Sequence, residues 1–168
     1  MPTASYALGI GSNRRHGRHG VPEAVVAAAI AAIAAEGIAV RAASRIHRTA
    51  PLGPGGRRYA NAAAIVASDL APPALLARLK AIERRFGRRR GRRWGSRVID
   101  LDILLWSGGR WRSRTLQVPH AQIARRRFVL DPLAQVAAGW HIGGVTTVRH
   151  ARARLVRRAA LPPHANSL

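Results

Sequence analysis

The chain has 168 residues, 48% of them hydrophobic, which fits the length and composition of a single globular domain. It has no cysteine, which excludes a disulfide framework and a thiolate metal site. Its formal net charge of +22 predicts attraction to polyanions, whether nucleotides, nucleic acid or anionic membranes, and charge alone does not distinguish them.

We expect no secretory signal peptide, because the basic loop Arg14–Gly20 follows the first apolar run instead of preceding it. No apolar run is as long as a membrane span. We therefore expect a cytoplasmic protein without a membrane partner. We expect one domain at residues 1–160 and a disordered tail at 161–168.

Helix and strand signals alternate along the chain. Pro22 and Pro72 each predict the first turn of a helix, and Gly37 and Gly87 predict where these helices end. The predicted elements, in chain order, are a strand at 4–11, a helix at 22–36, strands at 38–48 and 59–70, a helix at 72–86, a strand at 98–106, a hairpin turn at Gly108-Gly109, short helices over 122–138 and a last helix at 146–159. For the last helix, the predicted inner face consists of Val148, Ala151, Leu155 and Val156.

This order of elements predicts the fold class. A strand–helix–strand unit followed by a second such unit is typical of the split βαβ arrangement. We therefore predict an α+β protein with a ferredoxin-like βαββαβ core, in which helices pack in layers on an antiparallel sheet.

The strand predicted at 98–106 carries the strongest chemical signal. Its buried face is predicted to consist of Ile99, Leu101, Ile103 and Leu105. Asp100 and Asp102 then share the opposite face, roughly 7 Å apart, so both can contact one cation. Mg²⁺ prefers such oxygen ligands, and the arginines of Arg88–Arg97 suit phosphate groups. The alternative is an ion-pair cluster on a solvated sheet face. The spacing of the two aspartates on one strand favours the metal site over this alternative.

Four other side chains could contact a ligand. Tyr59 and Phe128 are either core residues or rings that stack on a ligand. Asn61 lies two residues after Tyr59 and therefore on the same strand face, where an amide can bind the polar edge of a flat heterocycle. His120 either donates to a phosphate or caps a loop.

Several common nucleotide and metal motifs are absent from the sequence. A P-loop requires glycines before its lysine, and Lys80 lacks them. The run Gly9-Ile10-Gly11 lacks the third glycine of a dinucleotide fingerprint, because Arg14 occupies that place. A triphosphate would therefore be held by arginine side chains and metal ions. His16 and His19 are expected to be solvated loop residues, because no partner has the spacing of a metal site.

Six short motifs occur in a fixed order, and the central one is Gly87-Arg88-x-Arg90-x-x-Arg93-Trp94-Gly95-Ser96-Arg97-x-x-Asp100-x-Asp102. The others are Gly11-Ser12-Asn13, Thr49-Ala50-Pro51-Leu52-Gly53, Tyr59-Ala60-Asn61, Val118-Pro119-His120 and Arg126-x-Phe128-Val129-Leu130. Together they resemble the hydroxymethyldihydropterin pyrophosphokinase family of folate biosynthesis, over about residues 5–137. Because several spaced motifs agree, the resemblance is specific.

The resemblance implies Mg²⁺-dependent transfer of pyrophosphate from ATP to 6-hydroxymethyl-7,8-dihydropterin, with release of AMP. It implies that Asp100 and Asp102 hold two Mg²⁺ ions and that they act in catalysis with Arg88 and Arg97. The implied ATP-binding residues are Glu83, Arg90, Arg93, Trp94, Ile103 and His120. The implied pterin-binding residues are Thr49, Ala50, Leu52, Tyr59, Asn61 and Phe128, with the rings of Tyr59 and Phe128 on either side of the pterin.

Two other functions stay open, and the protein is expected to be a monomer. Ser96 replaces the usual proline, and Ala50, Ala121 and Arg127 also depart from the family pattern, so one alternative is a divergent paralogue that acts on another pterin. The other is a basic nucleic-acid-binding module, and the charge also allows non-specific attraction to nucleic acid. Such a module has no use for two aligned carboxylates and usually interleaves aromatic residues.

Overall fold

A computed structural model describes residues 2–49, 58–87 and 98–160 of the chain. The strands are β1 (Ala4–Ser12), β2 (Ala39–Ala43), β3 (His47–Thr49), β4 (Tyr59–Ser68), β5 (Asp100–Trp106), β6 (Trp111–Arg112) and β7 (Gln117–Val118). The helices are α1 (Pro22–Ala35), α2 (Pro72–Arg85), α3 (Arg127–Ala137) and α4 (Val148–Ala160), with a 3-10 turn at Ile123–Arg125.

The main sheet, as the described ranges define it, has the strand order β2-β4-β1-β5. β3 also pairs with β4, beyond the end of β2. Every pairing in this sheet is antiparallel, and α1 and α2 provide the crossovers from β1 to β2 and from β4 to β5. The prediction of a ferredoxin-like βαββαβ core is confirmed.

The sheet separates two apolar cores. Side chains such as Tyr6 and Leu8 of β1 pack with α1 and α2 on one face. Ala7 of β1, with Ala63 and Ile65 of β4, packs with α3 and α4 on the other face. α3 and α4 contact the part of the second face around Ala7. The residues of that face nearer the end of β1 therefore remain available for other contacts.

β5 changes faces part-way along its length. The sequence predicts that Leu105 shares the face of Ile103, and this prediction is wrong. Ile103 pairs with Leu8 and Leu105 pairs with Ala7, so the strand advances by two residues where β1 advances by one. The extra residue, Leu104, forms a bulge, and both leucines lie in the core under α3 and α4. The two aspartates precede the bulge and keep the face that the sequence predicts for them.

The single strand predicted at 38–48 is divided into β2 and β3. The register shifts between Val40 and Ala42. Ser44 then donates its main-chain N–H to the oxygen of Ala63 at 2.8 Å, and its Oγ accepts the N–H of Ala63 at 2.9 Å. Because a side chain replaces a main-chain acceptor there, the regular ladder is interrupted.

The turn predicted at Gly108-Gly109 is confirmed, since Gly109 donates its N–H to the oxygen of Trp106 at 3.0 Å. The strand that follows does not return along β5, because β6 pairs with β7. In α4, Val148 and Ala151 are buried as predicted, whereas Val156 is 36% exposed and does not belong to the inner face.

The tail predicted at 161–168 lies outside the described residues. Over the ranges that are described, the helices are too short or too polar to cross a membrane.

Candidate active site

One cross-strand row brings together site residues from three strands. Asp100 of β5 pairs with Gly11 of β1, and Gly11 pairs with Asn61 of β4. Asp102 pairs with Gly9 in the next row on the same face. Neighbouring strands lie about 4.8 Å apart, so the α-carbons of Asp100 and Asn61 are roughly 10 Å apart across the sheet. The predicted metal ligands and the predicted pterin-binding amide therefore face the same side.

Two glycines form the floor between the aspartates and the amide. A Cβ at Gly11 would lie 3.0 Å from Oδ1 of Asn61, and a Cβ at Gly9 would lie 3.3 Å from Cδ1 of Leu104. Both distances are tighter than ordinary van der Waals contact, so a side chain at either position requires its neighbour to move. At Gly11, the absence of a side chain leaves main chain beside Asn61 on which a flat ligand can lie.

The Asn61 amide is a buried donor that lacks a partner. Its side chain is 8% exposed, and its Nδ2 makes no hydrogen bond to any part of the chain that the structure describes. A buried polar group left without a partner costs about 1–3 kcal/mol, and such groups in native proteins usually have a reason. A ligand acceptor above the glycine floor would satisfy this amide.

The two aspartates are accessible carboxylates. The side chains of Asp100 and Asp102 are 27% and 40% exposed. Among the described residues, no group of three or more His, Cys, Asp or Glu side chains is arranged to hold a metal ion. The protein would thus supply two carboxylates, and phosphate oxygens and water would complete the coordination. This donor set fits Mg²⁺, which keeps several waters and is usually bound through one or two carboxylates plus phosphate.

A buried ion pair fixes β5 between the two aspartates. Glu83 of α2 is fully buried, and its Oε1 accepts the N–H of Leu101 at 2.7 Å. Lys80 donates its Nζ to the same Oε1 at 2.7 Å and to the oxygen of Leu101 at 2.8 Å. Leu101 separates the aspartates in the sequence, so these contacts fix the strand where the carboxylates project. Glu83 is thus buried at the edge of β5, and the ATP contact predicted for it stays a prediction.

His120 lies at the same edge of the sheet. Its main-chain N–H donates to the oxygen of Leu104 at 2.9 Å, and its Nδ1 accepts the N–H of Gln122 at 3.2 Å. Because Nδ1 is an acceptor, the neutral ring carries its proton on Nε2. Nε2 can therefore donate to an anion, in agreement with the phosphate role predicted for this residue.

The aromatic candidates are largely exposed. Tyr59 is 45% and Phe128 is 41% exposed, which argues against the alternative that they are core residues. Tyr59 pairs with Thr49 on the face that carries Asn61. Phe128 lies in the first turn of α3, with the Arg126 guanidinium 5.7 Å from its ring centroid. Stacking of a pterin between the two rings stays a prediction.

Several predicted site residues lie outside the described ranges, and these are Ala50, Leu52, Arg88, Arg90, Arg93, Trp94 and Arg97. Ile103 is described, and its side chain is 1% exposed within the core. The ATP contact of Ile103 stays a prediction, and it would involve the main chain because the side chain is buried.

Comparison with known proteins shows the family of this chain. The family profile of 7,8-dihydro-6-hydroxymethylpterin-pyrophosphokinase (HPPK) matches residues 7–138. The chain belongs to this family. It is 42% identical to the 2-amino-4-hydroxy-6-hydroxymethyldihydropteridine pyrophosphokinase of Methylorubrum extorquens over 150 residues, which are 88% of this chain and 91% of the relative.

Two other HPPK relatives match over shorter segments. The enzyme of the same name from Pseudomonas aeruginosa is 44% identical over 97 residues, 57% of this chain and 60% of the relative. The one from Synechocystis is 39% identical over 104 residues, 62% of this chain and 53% of the relative. The chain therefore spans only slightly more than half the length of these two proteins.

The sequence prediction missed two features of the structure. One is Lys80, whose signal is its position three residues before Glu83 on a helix. The other is a ring stack in which His16 lies 4.7 Å from His19 and His19 lies 5.0 Å from Phe86. Both histidines are partly exposed, so they are less solvated than the sequence predicts. Desolvation lowers the pKa of His19, and the charges of His16 and Arg18 lower it further.

Proposed function

We propose that the chain transfers a pyrophosphoryl group from ATP to the hydroxymethyl oxygen of 6-hydroxymethyl-7,8-dihydropterin and releases AMP, a step of folate biosynthesis. The substrate oxygen forms a bond to the β-phosphorus and loses its proton. The bond from the β-phosphorus to the oxygen shared with the α-phosphorus breaks, and AMP leaves. The chain is in this sense an ATP-dependent diphosphotransferase, the activity that the family's name describes.

The observation that carries this proposal is the row from Asp100 through Gly11 to Asn61. Carboxylates that suit a metal–phosphate group stand at one end of the row, and at the other stands an amide whose buried Nδ2 has no hydrogen-bond partner among the described residues. The glycine between them leaves space for a flat heterocycle. A pterin bound at Asn61 would therefore direct its substituent toward phosphates bound near the aspartates, which is the proximity that group transfer needs.

Each of the described site residues has a distinct role in the proposed reaction. Asp100 and Asp102 would hold two Mg²⁺ ions, which supply charge neutralisation and Lewis-acid polarisation of the phosphate oxygens. Asn61 would orient the pterin through its Nδ2, and the rings of Tyr59 and Phe128 would hold its faces. His120 would donate from Nε2 to a phosphate oxygen.

The arginines before β5 complete the proposal. Arg88 and Arg97 would bind and stabilise the transferring group, and Arg90, Arg93 and Trp94 would contact ATP. Guanidinium groups suit this role because they bind phosphate with two parallel hydrogen bonds and stay charged.

Nucleotide separation after mixing enzyme, ATP, Mg²⁺ and pterin tests the function. We expect AMP and pyrophosphorylated pterin, with no AMP when Mg²⁺ is chelated. Asp100→Asn and Asp102→Asn should each lower the rate by about 10²-fold or more, because each removes a charged ligand aimed at the phosphates. Binding of the pterin alone should be little changed, since neither carboxylate is expected to contact the ring.

Asp131→Asn is the matched control. Asp131 lies on α3 in exposed ion pairs with Arg127 and Arg152, and the same substitution there should leave turnover unchanged. ADP as the product, or near-normal turnover of both site variants, would contradict the proposal. Slow turnover of this pterin with faster turnover of a related one would favour the divergent paralogue.

We further propose that the protein acts as a cytoplasmic monomer. Its charge of +22 supports weak, non-specific attraction to nucleic acid through exposed arginines such as those of α4. Such attraction is electrostatic and decreases steeply with salt.

A further inference from the structure

Lys80 is the only lysine of a chain that contains 29 Lys and Arg residues. Its Nζ lies where four acceptors converge: Oε1 of Glu83 at 2.7 Å, the oxygen of Leu101 at 2.8 Å, Oδ1 of Asp102 at 3.6 Å and Oδ1 of Asp100 at 4.0 Å. The one lysine ammonium group of the protein is thus next to the carboxylates proposed to bind metal.

The shape of the ammonium group explains why a lysine suits this position. An ammonium is a compact charge with three donors, whereas a guanidinium is a planar fork with fixed donor directions. Glu83 and Leu101 take two of the three donors at hydrogen-bond distance. The third remains for the aspartates, and it stays close enough to balance part of their charge.

An ammonium at this place opposes a metal ion. A divalent cation held by Asp100 and Asp102 would lie within about 6 Å of Nζ, and even in the dielectric of water two such charges repel enough to weaken binding about tenfold. Salt screens this repulsion only in part at such a short distance. ATP changes the balance, because its phosphates add negative charge to the site.

We propose that Lys80 is a positioning residue that restricts cation binding to the aspartate pair until ATP is present. It balances part of the charge of the pair in the nucleotide-free protein and holds β5 through Leu101, so that Mg²⁺ binds with the nucleotide rather than before it. This inference rests on the proposed function, since it assigns a role in the same metal–phosphate site.

Titration of the nucleotide-free protein with Mn²⁺, followed by electron paramagnetic resonance at low salt, tests the proposal. Lys80→Gln removes the charge but keeps a side chain that can donate to Glu83, and it should bind Mn²⁺ at least about tenfold more tightly than the unsubstituted chain. Lys80→Arg keeps the charge and should stay within about threefold. Asp102→Asn should abolish the gain when combined with Lys80→Gln.

The outcomes separate charge from packing. Unchanged or weaker Mn²⁺ binding by Lys80→Gln would overturn the proposal. An equal gain in Lys80→Gln and Lys80→Arg would also overturn it, because geometry rather than charge would then set the affinity. AMP formation by the unsubstituted enzyme is measured in parallel. If AMP forms while the Mn²⁺ result is negative, the proposed function stands and this inference fails.

A second measurement needs no substitution. Because Lys80 is the only lysine and is 31% exposed, reductive methylation with ¹³C-formaldehyde gives one labelled side chain besides the amino terminus. Its methyl signal should shift when Mg²⁺ is added together with a non-hydrolysable ATP analogue, and it should shift much less with Mg²⁺ alone. Equal shifts under both conditions would contradict the proposed order of binding.

Discussion

Replacement of Glu83 by alanine should destabilise the protein far more than the loss of an ordinary surface carboxylate. Glu83 is 0% exposed and accepts hydrogen bonds from Leu101 and Lys80, both at 2.7 Å. Loss of a charge-assisted bond costs about 1.5–3 kcal/mol, and it leaves the Leu101 N–H without an acceptor. The vacated volume adds a cavity term of about 1 kcal/mol or more.

These contributions place the expected loss at about 3–5 kcal/mol, the range for removal of one partner from a buried ion pair. Lys80 can turn toward water, which favours the lower part of that range. Glu83→Gln keeps the volume and one acceptor for Leu101, so its expected loss is about 1–2 kcal/mol. Since small domains have about 5–15 kcal/mol of stability in total, the alanine variant should be close to unfolding.

Urea unfolding followed by circular dichroism measures both variants, with the midpoint as the readout and the slope as a check on two-state behaviour. Glu36→Ala is the matched control. Glu36 is also paired with arginine, at 2.7 Å from Arg85 and 3.4 Å from Arg78, but it lies at the surface, where ion pairs contribute little. A loss in Glu83→Ala no larger than that in Glu36→Ala would refute the reasoning.

Two further predictions concern the floor of the site and the ring stack. Gly11→Ala would place a Cβ 3.0 Å from Oδ1 of Asn61, so pterin affinity measured by calorimetry should fall about tenfold or more. Gly17→Ala is the control: a Cβ there meets nothing within 4 Å, so the pterin affinity should stay unchanged. Equal affinities in the two variants would show that the floor does not contact the ligand. The pKa of His19 in the folded state is lowered from its usual 6.5, so the unfolded chain binds a proton at His19 first as the pH falls. The stability that the neutral ring contributes above pH 6.5 should therefore be lost as the pH falls below that value. Between pH 7.5 and 5, the Tm of His19→Phe should decrease less than the Tm of the unsubstituted chain, because phenylalanine keeps a ring against Phe86 but cannot titrate. Identical decreases in Tm would exclude His19 as the cause.

The sequence predicts the parts of the fold that depend on local signals. Pro22 and Pro72 mark helix starts because their fixed φ suits the first turn, and Gly37 and Gly87 mark helix ends because they adopt φ of 77° and 83°. The shared face of Asp100 and Asp102 follows from the two-residue period of a strand alone.

Other features depend on partners that the local sequence does not reveal. The bulge at Leu104 falls within an uninterrupted apolar run, where alternation gives no signal, and it is set by how β5 meets β1. The contact of Lys80 with Leu101 joins residues 21 positions apart and depends on how α2 packs beside the sheet edge. The role of Gly11 likewise requires the cross-strand register, since its importance arises from Asn61 on another strand.

That register has a consequence for variants of this protein. Because side chains alternate along a strand, a slip of β1 by one residue against its neighbours would bring Ile10 or Ser12 into the row between Asp100 and Asn61. The same slip would turn the buried side chains of β1 out of their core. Misaligned molecules would therefore be inactive as well as prone to associate through exposed apolar surface. The specific activity of refolded protein would thus report the fraction of molecules whose central strands are correctly aligned.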